Sequence, residues 1–385
     1  MSITYKKLGD IATYINGYAF KPKDWDSKGL PIIRIQNLTN TSEKVNYFNG
    51  EIDEKYIVKK GDILIAWSAS LGVYEWSGED ALLNQHIFKV VFDKEKIDKH
   101  YFKFMVQRTL DRALHFLHGS TMKHITKKYF DNLLIPFPPI DVQQKIANTL
   151  ILAQGVVNKR KAQIKAIDQL TQSLFLEMFG DPVINNKNWD VKKLSETGEL
   201  KRGMSKHRPR NAPELLGGPY PLIQTGDVAN SDIYIRKYHQ TYSELGLKQS
   251  KMWPAGTLCI TIAANIARTG ILTFDACFPD SVVAYVPNKN MSNLYVLFWF
   301  KFLQKIIEAN APESAQKNIN LKILSDLDIS VPPIEKQKQF EKVISEIERQ
   351  KDIFNKSLVE LQNNFNSILQ RAFKGELPSE EVYSL

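Results

Sequence analysis

Between Leu200 and Pro213 the chain places Lys201, Arg202, Lys206, His207, Arg208 and Arg210, six basic side chains within ten positions around Gly203. Guanidinium and ammonium groups at this density meet anions, either phosphate oxygens or the O6 and N7 acceptors of a guanine edge. A matching stretch near the N-terminus surrounds Gly17 with Asn16, Tyr18, Lys21 and Lys23. Arg34 and Gln36 follow, then Asn84, Gln85 and His86; the second half offers Gln224, Thr225, Asn265 and Arg268. Asn and Gln amides pair with adenine, while lysines, hydroxyls and backbone amides serve phosphate contacts. Ser120, Thr121, Lys123 and His124 follow Gly119, and Gln316 and Lys317 stand at the equivalent later place, so that Lys123 and Lys317 coincide as a shared phosphate contact.

Catalytic patterns are absent. His115 and His118 have neither a cysteine nor a clustered carboxylate beside them, and Asp24 and Asp26 flank Trp25 without metal-ligand spacing. Phe137-Pro138-Pro139-Ile140 and Val331-Pro332-Pro333-Ile334 lack the polar first residue that an adenine methyltransferase places before its Pro-Pro-aromatic motif. They read as rigid helix entries, because proline fixes φ and disfavours helix in the preceding residue. There is no Gly-x-x-x-x-Gly-Lys-Ser/Thr phosphate loop and no nuclease-type carboxylate order.

Composition agrees with a polyanion-binding protein. Of 385 residues, 51 are Lys or Arg and 42 Asp or Glu, a formal net charge of +9, with an isoelectric point near 9.2. The two cysteines, Cys259 and Cys277, fall in apolar runs and read as small buried hydrophobes in a reducing compartment. No signal peptide opens the chain and the longest apolar stretch, Leu294 to Phe300, is too short to span a bilayer, so a cytoplasmic protein without membrane partners is expected.

The elements that must position these residues occur twice. Leu133-Leu134-Ile135-Pro136-Phe137-Pro138-Pro139-Ile140, with Gln143, returns as Leu327-Asp328-Ile329-Ser330-Val331-Pro332-Pro333-Ile334, with Gln337. Lys6-Lys7-Leu8 and Gly17 return as Lys192-Lys193-Leu194 and Gly203, and Leu30-Pro31-Ile32-Ile33 as Tyr220-Pro221-Leu222-Ile223. Gly61-Asp62-Ile63-Leu64-Ile65 matches Gly256-Thr257-Leu258-Cys259-Ile260, and Ile87 to Val91 matches Val282 to Val286. A colinear repeat at half the chain length predicts two similar α+β domains related by approximate two-fold symmetry. In the first, strands are expected at Pro31 to Ile35, Ile63 to Trp67 and His86 to Phe92, followed by a helix over Tyr101 to Leu117.

Each Pro-Pro-Ile opens a long helical pattern. The first carries Ile146, Leu150, Ala153, Val157, Ile164, Ile167, Leu174 and Met178, interrupted at Arg160 and Thr171; the second carries Phe340, Ile344, Ile347, Phe354, Leu358, Leu361, Phe365, Ile368 and Ala372, interrupted at Lys351. The narrow stripes predict a coiled-coil seam, not helices lying on globular cores, with each helix about 60 Å long. An antiparallel pair would hold the domains at opposite ends, the polar interruptions setting register or facing a third protein. The expected segments are 1–138, a first domain; 139–181, a central helix; 182–332, a second domain; 333–377, a C-terminal helix; and 378–385, a tail.

This layout resembles the specificity subunit of type I restriction-modification enzymes. The resemblance rests on the Leu-x-Ile-x-x-Pro-Pro-Ile-x-x-Gln phrases, on Leu174-Phe175-Leu176-Glu177-Met178-Phe179-Gly180-Asp181-Pro182, and on Gly119-Ser120-Thr121-Met122-Lys123-His124-Ile125, and covers essentially the whole chain. The later Ser314-Ala315-Gln316-Lys317-Asn318 departs from that last phrase by lacking its glycine and threonine. The resemblance implies a non-catalytic DNA reader with two target recognition domains, each reading one half of a bipartite duplex sequence, and helices that fix the spacer. It further implies two modification subunits bound to the helices, which carry S-adenosylmethionine and methylate adenine at N6, and restriction subunits that cleave DNA using ATP and magnesium; this chain itself would hold no cofactor. Alternatives are the specificity subunit of a fused methyltransferase-nuclease system, or a coiled-coil interaction protein without a DNA role.

Overall fold

The structure, a computed structural model, describes residues 4–42, 44–68, 70–116, 125–263, 266–310 and 320–377, without the side chains of 114–116 and 305–310. Two compact units divide the chain, Met1–Ala162 with Asn355–Leu385, and Gln163–Phe354.

In the first unit, Tyr5–Lys7 pairs antiparallel with Leu134–Pro136. An antiparallel sheet runs in the order Thr13–Asn16, Ile87–Val91, Ile63–Ala66, Gly72–Glu75. A mixed sheet runs Asn46–Phe48, Leu30–Ile33, Ala81–Leu83, Ile57–Val58, with Ile32 and Ile33 parallel to Leu82 and Leu83. The helix Lys99–Phe116 buries Tyr101, Phe102, Met105, Val106 and Leu110 in one core with Tyr14, Ile63, Ile65 and Phe88.

The second unit repeats this plan with one strand added. Asp190–Lys193 pairs with Asp328–Val331. Gly198–Arg202, Val282–Pro287, Leu258–Thr261 and Thr269–Leu272 form the equivalent antiparallel sheet, extended at its edge by a parallel Tyr234–Ile235. Gln240–Tyr242, Leu216–Leu222, Ala276–Cys277 and Met252–Trp253 form the equivalent mixed sheet, and Asn293–Asn310 the equivalent helix. Gly61 and Gly256 open corresponding strands at φ 88° and 86°, a left-handed backbone that glycine adopts without a Cβ penalty.

The repeated Pro-Pro-Ile-x-x-Gln phrase is a joint between sheet and helix. Gln143 and Gln337 are fully buried. Gln143 Oε1 accepts from the Asp98 N–H at 3.0 Å while its Nε2 donates to the Pro138 carbonyl at 2.8 Å. Gln337 Oε1 accepts from the Ser292 N–H at 2.9 Å and its Nε2 donates to Pro332 O at 2.8 Å. Nearby, the Tyr101 hydroxyl donates to Pro136 O at 2.9 Å and the Tyr295 hydroxyl to Ser330 O at 3.0 Å. A buried amide satisfied on both sides fixes the angle at which each helix leaves its sheet.

The two long helices are Ile140–Phe179 and Ile334–Lys374, unbroken through Arg160, Thr171 and Lys351. Every stripe residue of both is buried or half-buried, whereas the off-stripe Leu152, Val156, Leu170, Ile353 and Val359 are exposed. One expectation is corrected: the helix ends do lie on globular cores. Ile146, Ala147 and Leu150 join Leu369, Ala372 and Phe373 in the first unit's core, and Phe175, Phe179, Phe340 and Ile344 belong to the second unit's. Periodicity shows which helix face is covered without showing what covers it. In the second unit Phe175 packs on Phe340 at 5.7 Å and Asp168 meets Lys351, so the segments there run antiparallel.

Candidate nucleic-acid interface

In the first unit the sequence-selected residues between Asn16 and His86 converge on one rim. Gly17 donates its N–H to Ile87 O at 3.1 Å and Tyr18 donates to Leu83 O at 2.8 Å, drawing the Gly17 loop onto the 84–86 turn. A Cβ on Gly17 would sit 2.1 Å from Asn84 O, so this close approach requires glycine. Asn16 Oδ1 accepts from Trp67 Nε1 at 3.2 Å, and His86 packs its ring against the same Trp67 and bonds Gln85. Arg34, Gln36, Asn84, Gln85 and His86 line an open cleft of about 470 Å³ with Phe20, Thr39 and Thr41. Arg34 stacks its guanidinium 4.4 Å from the Trp25 ring centroid, on a loop that also exposes Lys21 and Lys23. Amides, a histidine, an arginine and exposed aromatic faces therefore share one surface, the mixture that base edges and phosphates call for.

The second unit uses the same loop scaffold with different chemistry. Gly203 donates to Val282 O at 2.8 Å and Met204 to Phe278 O at 3.0 Å, and a Cβ on Gly203 would lie 2.4 Å from Phe278 O. Where the first unit has Asn84-Gln85-His86, this one has Pro279-Asp280-Ser281. Asp280 gathers the basic loop: Arg210 Nη2 lies 2.5 Å and Arg208 Nη2 3.8 Å from its carboxylate, and Arg202 Nε donates to its backbone carbonyl at 3.0 Å. The Arg210 contact is a charge pair outside hydrogen-bond alignment, since the same carboxylate oxygen makes no hydrogen bond. Lys201 pairs with Glu199, and His207 lies 3.8 Å from Glu214. Lys206 and His207 donate their backbone N–H groups to Gln249 Oε1 at 2.7 and 3.1 Å. The basic cluster is thus an ordered loop whose arginines are partly neutralised from within.

Gln224 and Thr225 occupy the position of Arg34 and Ile35, at the start of a short helix, Thr225–Ala229. Asp227 accepts from the Gln224 N–H at 2.8 Å and holds His239 Nδ1 at 2.6 Å, leaving the His239 ring exposed beside Gln240. Asp227, His239, Gln240 and Asp280 escaped the sequence reading because each acts through a partner distant along the chain. Arg268 lines a different cleft of about 290 Å³ with Gln172, Ser231, Asp232, Phe298 and Lys301. Ser120, Thr121, Lys123, His124, Asn265, Gln316 and Lys317, like His118, lie outside the described residues. Among the described residues no cluster of three or more His, Cys, Asp or Glu side chains could hold a metal ion, and no helix is long and apolar enough to cross a membrane. Burial pushes the Cys259 and Cys277 thiols up, which removes them from nucleophilic chemistry.

Known proteins share this sequence pattern and this fold. The chain is 25% identical to the type I restriction enzyme EcoBI specificity subunit of Escherichia coli, over 97% of this chain and 86% of that one. It is 22% identical to the MjaX specificity subunit of Methanocaldococcus jannaschii, with coverage of 97% and 93%. In fold it is similar to the S subunit of the type I system of M. genitalium, at a TM-score of 0.55, 15% identity and coverage of 97% and 96%. A chain from a type I restriction-modification system solved for its complex assembly gives 0.61 at 17% identity, covering 97% and 98%. The type I restriction modification DNA specificity domain matches residues 3–166 and again 186–363. With that domain present in both halves, the chain belongs to the type I restriction modification DNA specificity family, and its function is DNA sequence recognition through two copies of the domain.

Proposed function

We propose that each globular part reads one half of a bipartite duplex target and that the two long helices set the spacer and bind methyltransferase subunits, which recruit restriction subunits. The observation that carries this reading is the contrast between the two loop surfaces. The same glycine-dependent scaffold presents Asn84, Gln85 and His86 in one unit and an arginine cluster folded over Asp280 in the other. Equivalent frames with different polar faces suit two different half-sites. The exposed apolar residues off the helix stripes, Ile151, Leu152 and Val156 in the first unit and Leu170, Val343 and Ile353 in the second, support helix-borne protein contacts. S-adenosylmethionine, ATP and magnesium belong to the partner subunits in this reading, and the assembly works in the cytoplasm.

Methylated-adenine sequencing of a host expressing the chain with its methyltransferase partner tests it. Exchanging residues 1–135 with those of another specificity subunit changes one half-site only. Four extra residues in each long helix, about 6 Å, lengthen the spacer by about two base pairs. An unchanged spacer overturns the ruler, and two unchanged half-sites after the exchange overturn the reading role.

A further inference from the structure

We propose that Arg34 and Gln224 are one and the same reading position in the two domains, taking a guanine in the first half-site and an adenine in the second. The assignment rests on the reading that these loop surfaces face duplex DNA.

The two residues are structurally equivalent. Each follows the strand at the heart of its mixed sheet, Leu30–Ile33 or Leu216–Leu222, and each precedes a short helix, Ile35–Leu38 or Thr225–Ala229. Their backbones match, with φ and ψ of −113° and 163° at Arg34 and −100° and 167° at Gln224. Each N–H is capped by the residue three positions on: Arg34 donates to Asn37 Oδ1 at 3.0 Å, Gln224 to Asp227 Oδ2 at 2.8 Å. Because the cap uses only the backbone, the side chain is free to vary without loss of the frame. It does vary, between the residue type that forks onto guanine and the one that forks onto adenine.

Each side chain is also held for presentation. The Arg34 guanidinium lies over Trp25, 4.4 Å from the ring centroid, and this stacking contact restrains its plane. Its Nε, buried, has no hydrogen-bond partner among the described residues. Gln224 Nε2 donates to Gln240 Oε1 at 3.1 Å. That bond leaves the Gln224 carbonyl oxygen to accept from the adenine N6 amino group and the Gln240 amino group to donate to N7. A guanine offers acceptors at both O6 and N7 and would face the Gln224 carbonyl with another acceptor. Conversely, adenine's N6 amino group would meet the Arg34 donors. The discrimination therefore opposes in sign at the two places.

The test uses the complex with its methyltransferase partner and reads the methylated motif of Gln224→Ala, Gln224→Arg, Gln240→Ala and Arg34→Gln. Gln224→Ala makes a single adenine of the second half-site degenerate, losing on the order of ten- to a hundredfold discrimination there. Gln240→Ala relaxes the same base, Gln224→Arg turns it towards guanine, and Arg34→Gln turns one guanine of the first half-site towards adenine. Where a variant no longer methylates, competition binding with duplexes changed one base at a time replaces the motif. Selective loss at that one base supports the assignment; uniform loss across all bases overturns it. Unchanged motifs in the Gln224 variants also overturn it, and if exchange of residues 1–135 still moves one half-site, DNA reading stands and only the residue assignment falls.

Discussion

Lys351 on the C-terminal helix places its Nζ 2.5 Å from Asp168 Oδ1 on the central helix, at the one position where its apolar stripe is broken. The same ammonium also pairs with Asp232 in the globular part, and Asp232 bonds Lys301 at 2.8 Å. Burial opposes the Lys351 charge, but the bonds to Asp168 and Asp232 outweigh it and hold its pKa above the usual lysine range. The interruption thus ties helix register to the docking of the helix on its domain. Its side chain is only 14% exposed, whereas the carboxylates are 47% and 53% exposed. Removing a partner from a fully buried pair costs about 3–5 kcal/mol, which exposure on the acid side reduces to about 1–3 here. Lys351→Ala is expected to lower unfolding free energy by that amount. Lys351→Met restores an apolar stripe and leaves two hydratable carboxylates, so urea titration should place it between Ala and wild type.

Acid weakens the same junction. Burial raises the cost of the Asp232 charge, yet Lys301 and Lys351 more than offset it and hold its pKa down at about 2, against an ordinary 3.8. A carboxylate lowered on folding stabilises the native state above its unfolded pKa, and that contribution is lost as pH falls through the folded value. The gap in urea midpoint between wild type and Lys301→Met should be full above about pH 5 and narrow towards pH 2. A gap that widens on acidification would contradict the pairing.

The duplication, both long helices and the glycine loops are legible in the sequence because each depends on local spacing or on colinear repetition. Gly17 and Gly203 stand out by position alone, and their close approaches to Asn84 and Phe278 explain the repeat. What periodicity cannot carry is long-range pairing. Lys201 to Arg210 read as free positive charge because Asp280 lies some seventy residues on, inside an apolar run. Asp227 looks like an ordinary helix-start acid until the fold brings His239 against it. The helix stripes likewise show a covered face, but only the fold reveals that Phe175 meets Tyr295 and Phe298, and Phe340 meets Phe298, at the ends.

The buried glutamines of the repeated phrase make separate predictions for each unit. Gln337→Leu keeps volume but strands the Ser292 N–H and the Pro332 carbonyl, and Gln143→Leu strands the Asp98 N–H and the Pro138 carbonyl. Unpaired buried groups cost about 1–3 kcal/mol each, so a loss of about 2–6 kcal/mol is expected in either variant. Hydrogen exchange should quicken at Ser292 in the first case and at Asp98 in the second. Equal quickening in both units from one substitution would mean that the joint is not local.

Asp280 restrains the basic loop, and releasing it has a sign that distinguishes charge from scaffold. Its carboxylate faces Arg210 at 2.5 Å and Arg208 at 3.8 Å, while Arg202 is held by the backbone carbonyl, which substitution leaves in place. Asp280→Asn therefore frees up to two guanidinium groups for phosphates and removes one negative charge from the surface. Each additional phosphate neutralised steepens the dependence of log affinity on log salt by about 0.9. Non-specific duplex binding by the complex should strengthen several-fold at low salt with a slope steeper by about one to two, and the advantage should fade as salt rises. If Asp280 served only to shape the loop, the variant would instead bind more weakly at every salt concentration with the slope unchanged. Fluorescence anisotropy across a salt series separates the two outcomes, because the first pair of curves converges at high salt and the second stays parallel.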